Sequence, residues 1–163
     1  MFSISNKIAY EDQMVFGMPS RSSEPDQAPY WGVSCWIDLP GTVLGRQSVP
    51  AQIDFVAKLI TDYYQRFEQL PEIYVISPFK EVKERLIDKL RAQGTWSKFD
   101  VAMPENGTIT DWASKRVGTV HTFQGKEEDT VVMILGADHK REGAAQWVTS
   151  KPNIFNVALT RAK

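Results

Sequence analysis

Two stretches of this chain carry side chains suited to phosphate and nucleic-acid chemistry: Gly118–Val132, GTVHTFQGKEEDTVV, and Asn156–Lys163, NVALTRAK. In the first, the run from Phe123 to Asp129 sets Gln124, Gly125, Lys126, Glu127 and Glu128 directly after an apolar segment. Glycine lacks the Cβ that holds a ligand off, so the backbone there can approach a phosphate. A carboxylate just beyond can accept hydrogen bonds from ribose hydroxyls. The same residues also fit a surface turn with solvated charges, since one glycine and some acids are a weak signal alone. In the second stretch, at roughly 100° per residue, Phe155, Ala158, Leu159 and Ala162 share one helical face. Asn156, Thr160 and Arg161 point away from it. An arginine on a docked helix can stabilise the charge that spreads over a phosphoryl group in transfer, an effect of about 10³ to 10⁵ in rate. An arginine near a helix C-terminus is equally what the macrodipole favours without any catalysis.

These residues need elements to hold them. Ala51–Leu70 places Ile53, Val56, Ile60, Tyr63, Phe67 and Leu70 at steps of three or four, which predicts an amphipathic helix stopped by Pro71. Ile73–Ile76 is a short β-branched and aromatic run, apolar on both faces, as expected of a covered strand ended by Ser77-Pro78. Glu81–Gln93 predicts a second helix with Val82, Leu86 and Leu90 buried and Gly94 as its stop. Val33–Leu39, Val117–Phe123 and Thr130–Leu135 read as further strands, Met1–Met18 as room for a short helix, and Asn153–Ala162 as a closing helix with Pro152 in its first turn. Residues 21–30, RSSEPDQAPY, read as an exposed loop. Strands alternating with helices imply an α/β layered domain with a mostly parallel sheet. Ligands of such sheets gather beyond the carboxyl ends of the strands, which selects Ser77–Lys80 and His121–Asp129 as the working rim.

Composition narrows the function further. A length of 163 residues suits one domain, and 42% hydrophobic with 24% charged residues is ordinary globular composition. No apolar run reaches the roughly 18 residues of a membrane span, and the N-terminus lacks the apolar core of a secretory signal, so a cytoplasmic protein is expected. One cysteine, Cys35, allows no intrachain disulfide. With 19 basic against 20 acidic residues, the chain lacks the excess positive charge of a strong autonomous nucleic-acid binder. Any grip on a strand must be local, weak in this domain alone, and steeply salt-dependent. Two histidines and one cysteine do not make a zinc site, so no metal is expected on those groups. The five tryptophans are expected to pack in the core or an interface rather than stack on bases, Asn106-Gly107-Thr108 to form a turn, and Asp138–Gly143 to be a solvated loop of mixed charge.

The order ISPFK (Ile76–Lys80), VGTVHTFQGKEED (Val117–Asp129) and NVALTRAK closely resembles motifs IV, V and VI of superfamily 1 helicases, in the branch of the RNA-surveillance helicases. ISNKIAYEDQMV, Ile4–Val15, looks like the stretch after that family's Gln-Tyr-Arg motif, and residues 21–49 match least. The resemblance implies that residues 1–163 are the second of two RecA-like motor domains, excised from a longer protein, working with ATP and Mg²⁺ bound mainly by the first. It implies Arg161 as the arginine finger, Gln124 and Gly125 as sensors of the γ-phosphate, and Glu127 at the ribose. Ser77, Pro78, Thr119 and His121 would touch the backbone of single-stranded DNA or RNA, with movement from 5′ toward 3′ and no membrane partner.

The departures are specific. There is no G-x-x-x-x-G-K-[ST] phosphate loop, because Gly41–Ser48, GTVLGRQS, has the wrong spacing and no lysine. No acidic magnesium motif of the helicase type is visible, so this piece alone is expected not to hydrolyse ATP. Two other classes remain open at this point: a non-enzymatic nucleic-acid- or protein-binding module derived from a helicase half, and a free-standing nucleotide-binding α/β enzyme. The latter would need a phosphate-cradling loop of its own.

Overall fold

The computed structural model describes Gly32, residues 35–123 and residues 126–138. Helix α1 spans Pro50–Phe67, strand β1 Tyr74–Ser77, helix α2 Lys80–Arg91, helix α3 Gln93–Ser97, helix α4 Asn106–Arg116, strand β2 Val117–Thr119 and strand β3 Val131–Met133. A 3₁₀ turn, Val120–Phe123, follows β2 directly. The sheet runs β2-β1-β3, and both pairings are parallel, Val75 opposite Val117 and Val132. The expected closing helix, the loop at 21–30 and the N-terminal segment lie outside the described residues.

Side-chain alternation along β1 divides the core. Val75 points into the larger cluster with Ile53, Val56, Ile60, Val82, Leu86, Leu90 and Trp96, built mainly from the helices. Ile76 points to the other face, where it packs with Val120 and Phe123, and Tyr74 lies against them. Burial of the central strand on both faces is why its sequence is apolar throughout rather than alternating.

The element ends correct several expectations. α1 stops at Phe67, before Pro71: Glu68 turns left-handed at φ 54° and its amide returns to the Tyr64 carbonyl. A helix avoids the position before a proline, and Leu70 holds it. α2 stops at Arg91 without glycine, and Gly94 lies inside α3. Its last carbonyls are capped by side chains, Thr95 Oγ1 donating to Lys89 O at 2.6 Å and Trp96 Nε1 to Leu90 O at 2.7 Å. Asn106-Gly107-Thr108 opens α4 instead of a turn; that helix has only Ile109 and Ala113 buried, too thin a stripe to read as periodic. Residues 35–39 form no strand, and Trp36, 70% exposed, is neither core nor covered. A short, largely apolar run becomes a strand only beside a ladder partner, and among the described residues it has none. Trp96 is buried, and half-buried Trp112 donates to Pro71 O at 2.9 Å.

Candidate nucleotide and nucleic-acid interface

β1 and β2 end side by side, with Ser77 opposite Thr119 in the parallel register. Their carboxyl ends therefore form one edge, on which the residues range from buried to exposed. Ser77 is buried; its hydroxyl accepts the Phe79 amide at 3.2 Å and so shapes the turn into α2. Pro78 and Thr119 are half-buried, and His121 is exposed on the 3₁₀ turn. Thr122 fixes that turn: its Oγ1 accepts the Thr119 amide at 3.2 Å and lies 3.2 Å from the Thr119 hydroxyl. Thr122 escaped the sequence reading, although the T-x-x-T spacing in TVHT carries the signal of a hydroxyl returning to the backbone. Gly118 makes the fold-back possible. A Cβ there would lie 2.7 Å from Phe123 Cε2 and 2.8 Å from Thr122 Cβ, closer than side chains pack.

The chain then crosses β1 to reach β3, because a parallel neighbour must be entered from the amino edge. Thr130 O accepts the amide of Tyr74, the first residue of β1, at 3.0 Å. The stretch His121–Asp129 therefore does not lie on one rim as expected. His121 stands beside the carboxyl end of β2, while Glu128 pairs with Arg116, the residue before the amino end of that strand. Gln124, Gly125 and Arg161 lie outside the described residues. Their flanks are described: the Lys126 amide donates to Phe123 O at 3.0 Å. Glu127 and Lys126 are exposed.

The segment rejected above as a phosphate loop has its amides engaged. Arg46 N and Gln47 N donate to Glu81 Oε2 at 3.1 and 3.0 Å, and Arg85 binds Oε1 of the same carboxylate at 3.0 Å. Partial burial works against ionisation of Glu81, but the Gln47 and Arg46 amides and the Arg85 guanidinium outweigh it and hold the carboxyl below its ordinary range. Donors that could face an external phosphate thus face an internal carboxylate. Asp138, expected in a solvated loop, is 9% exposed and accepts the Val43 amide at 2.8 Å. Among the described residues no group of three or more His, Cys, Asp or Glu could hold a metal ion, and no helix is long and apolar enough to cross a membrane.

A family model described as AAA domain matches residues 3–163. The chain is 27% identical over 108 residues to a regulator of nonsense transcripts 1 homolog of Neurospora crassa, an alignment covering 66% of this chain. The chain spans 9% of that relative's length. With its parallel sheet flanked by helices and its ordered motifs, the chain belongs to the AAA domain family, as a RecA-like domain of the helicase type and of the C-terminal kind.

Proposed function

We propose that this chain is the second motor domain of an ATP-dependent nucleic-acid helicase and completes a nucleotide site seated on a first RecA-like domain of the same protein. Arg161 is the arginine finger, Gln124 and Gly125 meet the γ-phosphate, and Glu127 meets the ribose. Pro78, Thr119 and His121, with Ser77 bracing the strand end behind them, meet the sugar-phosphate backbone of a single strand of DNA or RNA.

The observation that carries this reading is the alignment of Ser77 with Thr119 at neighbouring strand ends, beside the exposed His121. A threonine hydroxyl and an imidazole can position a phosphate backbone without reading its bases. The donor set fits part of a nucleotide. The exposed Glu127 carboxylate can accept from ribose hydroxyls, whereas the amides of residues 46 and 47 are engaged by Glu81 and leave no cradle there. Phosphate cradle and magnesium ligands are therefore assigned to the first motor domain. Bound ATP supplies the phosphoanhydride whose cleavage powers the cycle; this chain's residues supply a cation to that bond and a grip on the strand.

His121→Ala tests the strand contact cleanly, because an exposed side chain can be lost without disturbing the core. Fluorescence anisotropy with labelled single-stranded DNA and RNA at low salt should show a loss of about 1 kcal/mol, roughly fivefold, as for one hydrogen bond. Unchanged affinity for both polymers would remove His121, and the edge it marks, from the interface.

A further inference from the structure

Arg116 touches both supports of the segment that holds Gln124, Gly125 and Glu127. Its Nη1 pairs with Glu128 Oε2, and the guanidinium lies 5.5 Å above the Tyr74 ring. Tyr74 in turn stacks on Phe123 at 4.2 Å between centroids with 26° between planes. Phe123 is fully buried and stands just before Gln124; Glu128 stands just after Glu127. The second Glu128 oxygen accepts the Asp129 amide at 3.1 Å, so both carboxylate oxygens are engaged. Upstream and downstream anchors of the segment therefore meet at one guanidinium.

This pair differs from the other ion pairs among the described residues. Lys58–Asp62, Lys80–Glu84, Arg85–Glu81 and Lys115–Asp111 each link successive turns of one helix, and Lys89–Asp54 is more open. Arg116 and Glu128, at 23% and 19% side-chain exposure, are the least exposed and join the end of α4 to the crossover. Removal of one partner from a partly desolvated pair leaves the other charge uncompensated. Here the orphan would be Glu128, in sequence between two further acids, Glu127 and Asp129. Planarity matters too, because arginine can pair with a carboxylate and lie over a ring at once, which an ammonium cannot do as well.

We propose that Arg116 is a positioning residue for the nucleotide-sensing segment, acting through the Glu128 carboxylate and the Tyr74–Phe123 stack rather than by touching the nucleotide. The inference rests on the reading that Gln124 and Glu127 meet ATP. Displacement of a catalytic group by about 1 Å can cost about 10²-fold in rate.

The test measures ATPase kcat and KM of the intact protein carrying both motor domains, with hydrogen exchange at the Lys126 amide as a readout independent of turnover. Arg116→Gln and Glu128→Gln are each expected to lower kcat/KM by about 10- to 100-fold and to speed exchange at Lys126. The swap Arg116→Glu with Glu128→Arg restores the ion pair but neither the guanidinium over Tyr74 nor the acceptor for the Asp129 amide, so it should recover part of both, while Lys115→Gln, one residue away and paired only within its helix, should change neither. Wild-type turnover and exchange in Arg116→Gln overturn the inference, as does equal loss in Lys115→Gln or failure of the swap to recover either readout. If Arg116→Gln does not fold, the swap and Glu128→Gln decide by the same criteria. Gln124→Ala separates the two levels: its inactivity beside a fully active Arg116→Gln rejects only the positioning role, whereas full activity of Gln124→Ala rejects the nucleotide reading and the inference with it.

Discussion

Substituting Gly118 by alanine puts a Cβ 2.7 Å from Phe123 Cε2, 2.8 Å from Thr122 Cβ and 2.9 Å from Thr122 Cγ2. Neither neighbour can yield freely. Phe123 is fully buried with its ring stacked on Tyr74, and Thr122 is tied to the Thr119 amide by its hydroxyl. Accommodation must come from the 3₁₀ turn lifting off β2, and forcing one carbon into such a site costs about 1–3 kcal/mol. For a domain of this size each kcal/mol moves the melting temperature by about 2–4 °C, so a fall of roughly 2–12 °C is expected. Circular dichroism melts compare it with Gly107→Ala, where no atom lies within 4 Å and the residue sits inside α4. That control should be neutral or stabilising by up to about 1 kcal/mol. Because the same turn carries His121, Gly118→Ala should also weaken single-strand binding more than its stability loss explains. A Gly118→Ala protein that melts with wild type and binds strands unchanged would refute the close packing on which the geometry of this edge depends.

Trp96→Ala should cost about 3–5 kcal/mol in chemical denaturation, since it removes a fully buried ring in edge contact with Tyr64 and the cap on Leu90 O; Trp36→Ala, at 70% exposure, should stay within about 0.5 kcal/mol. Glu81 is held below the ordinary carboxylate range, so its stabilisation is fully present above the unfolded value of about 4.3 and is lost as pH falls from there through the folded value. The stability gap between wild type and Glu81→Gln should therefore narrow over that acid window, and a gap constant from neutral to acid pH would contradict the assignment. Single-strand affinity of the chain should fall steeply between low and physiological salt, in proportion to the phosphates it meets, and a flat salt dependence would argue against a backbone grip.

Periodicity carried the large elements well. α1, α2 and β1 sit where apolar spacing predicts them, because each buries apolar residues at its own period, although Phe67 at the end of the predicted α1 stripe is exposed. What escaped depends on contacts between residues distant in sequence. α4 buries too little to show a stripe and is held in part by Trp112 reaching Pro71. The end of α2 is set by Thr95 and Trp96, not by the glycine that marks such ends elsewhere. Val117–Phe123 reads as one strand because Val117, Thr119, Val120, Thr122 and Phe123 suit a sheet, yet Thr122 folds the second half back on Gly118. At the site, Ser77 and Thr119 could be placed on strand ends from sequence, but their pairing in register needs the sheet order. The Arg116–Glu128 link, twelve residues apart, has no local signature at all.

The central claim is that this domain lends a cation to a nucleotide held on another lobe, and Arg161→Ala in the intact protein tests it most directly. Steady-state ATPase measured together with ATP affinity should show turnover reduced by about 10³-fold or more while binding persists. Turnover close to wild type in that variant would contradict the account.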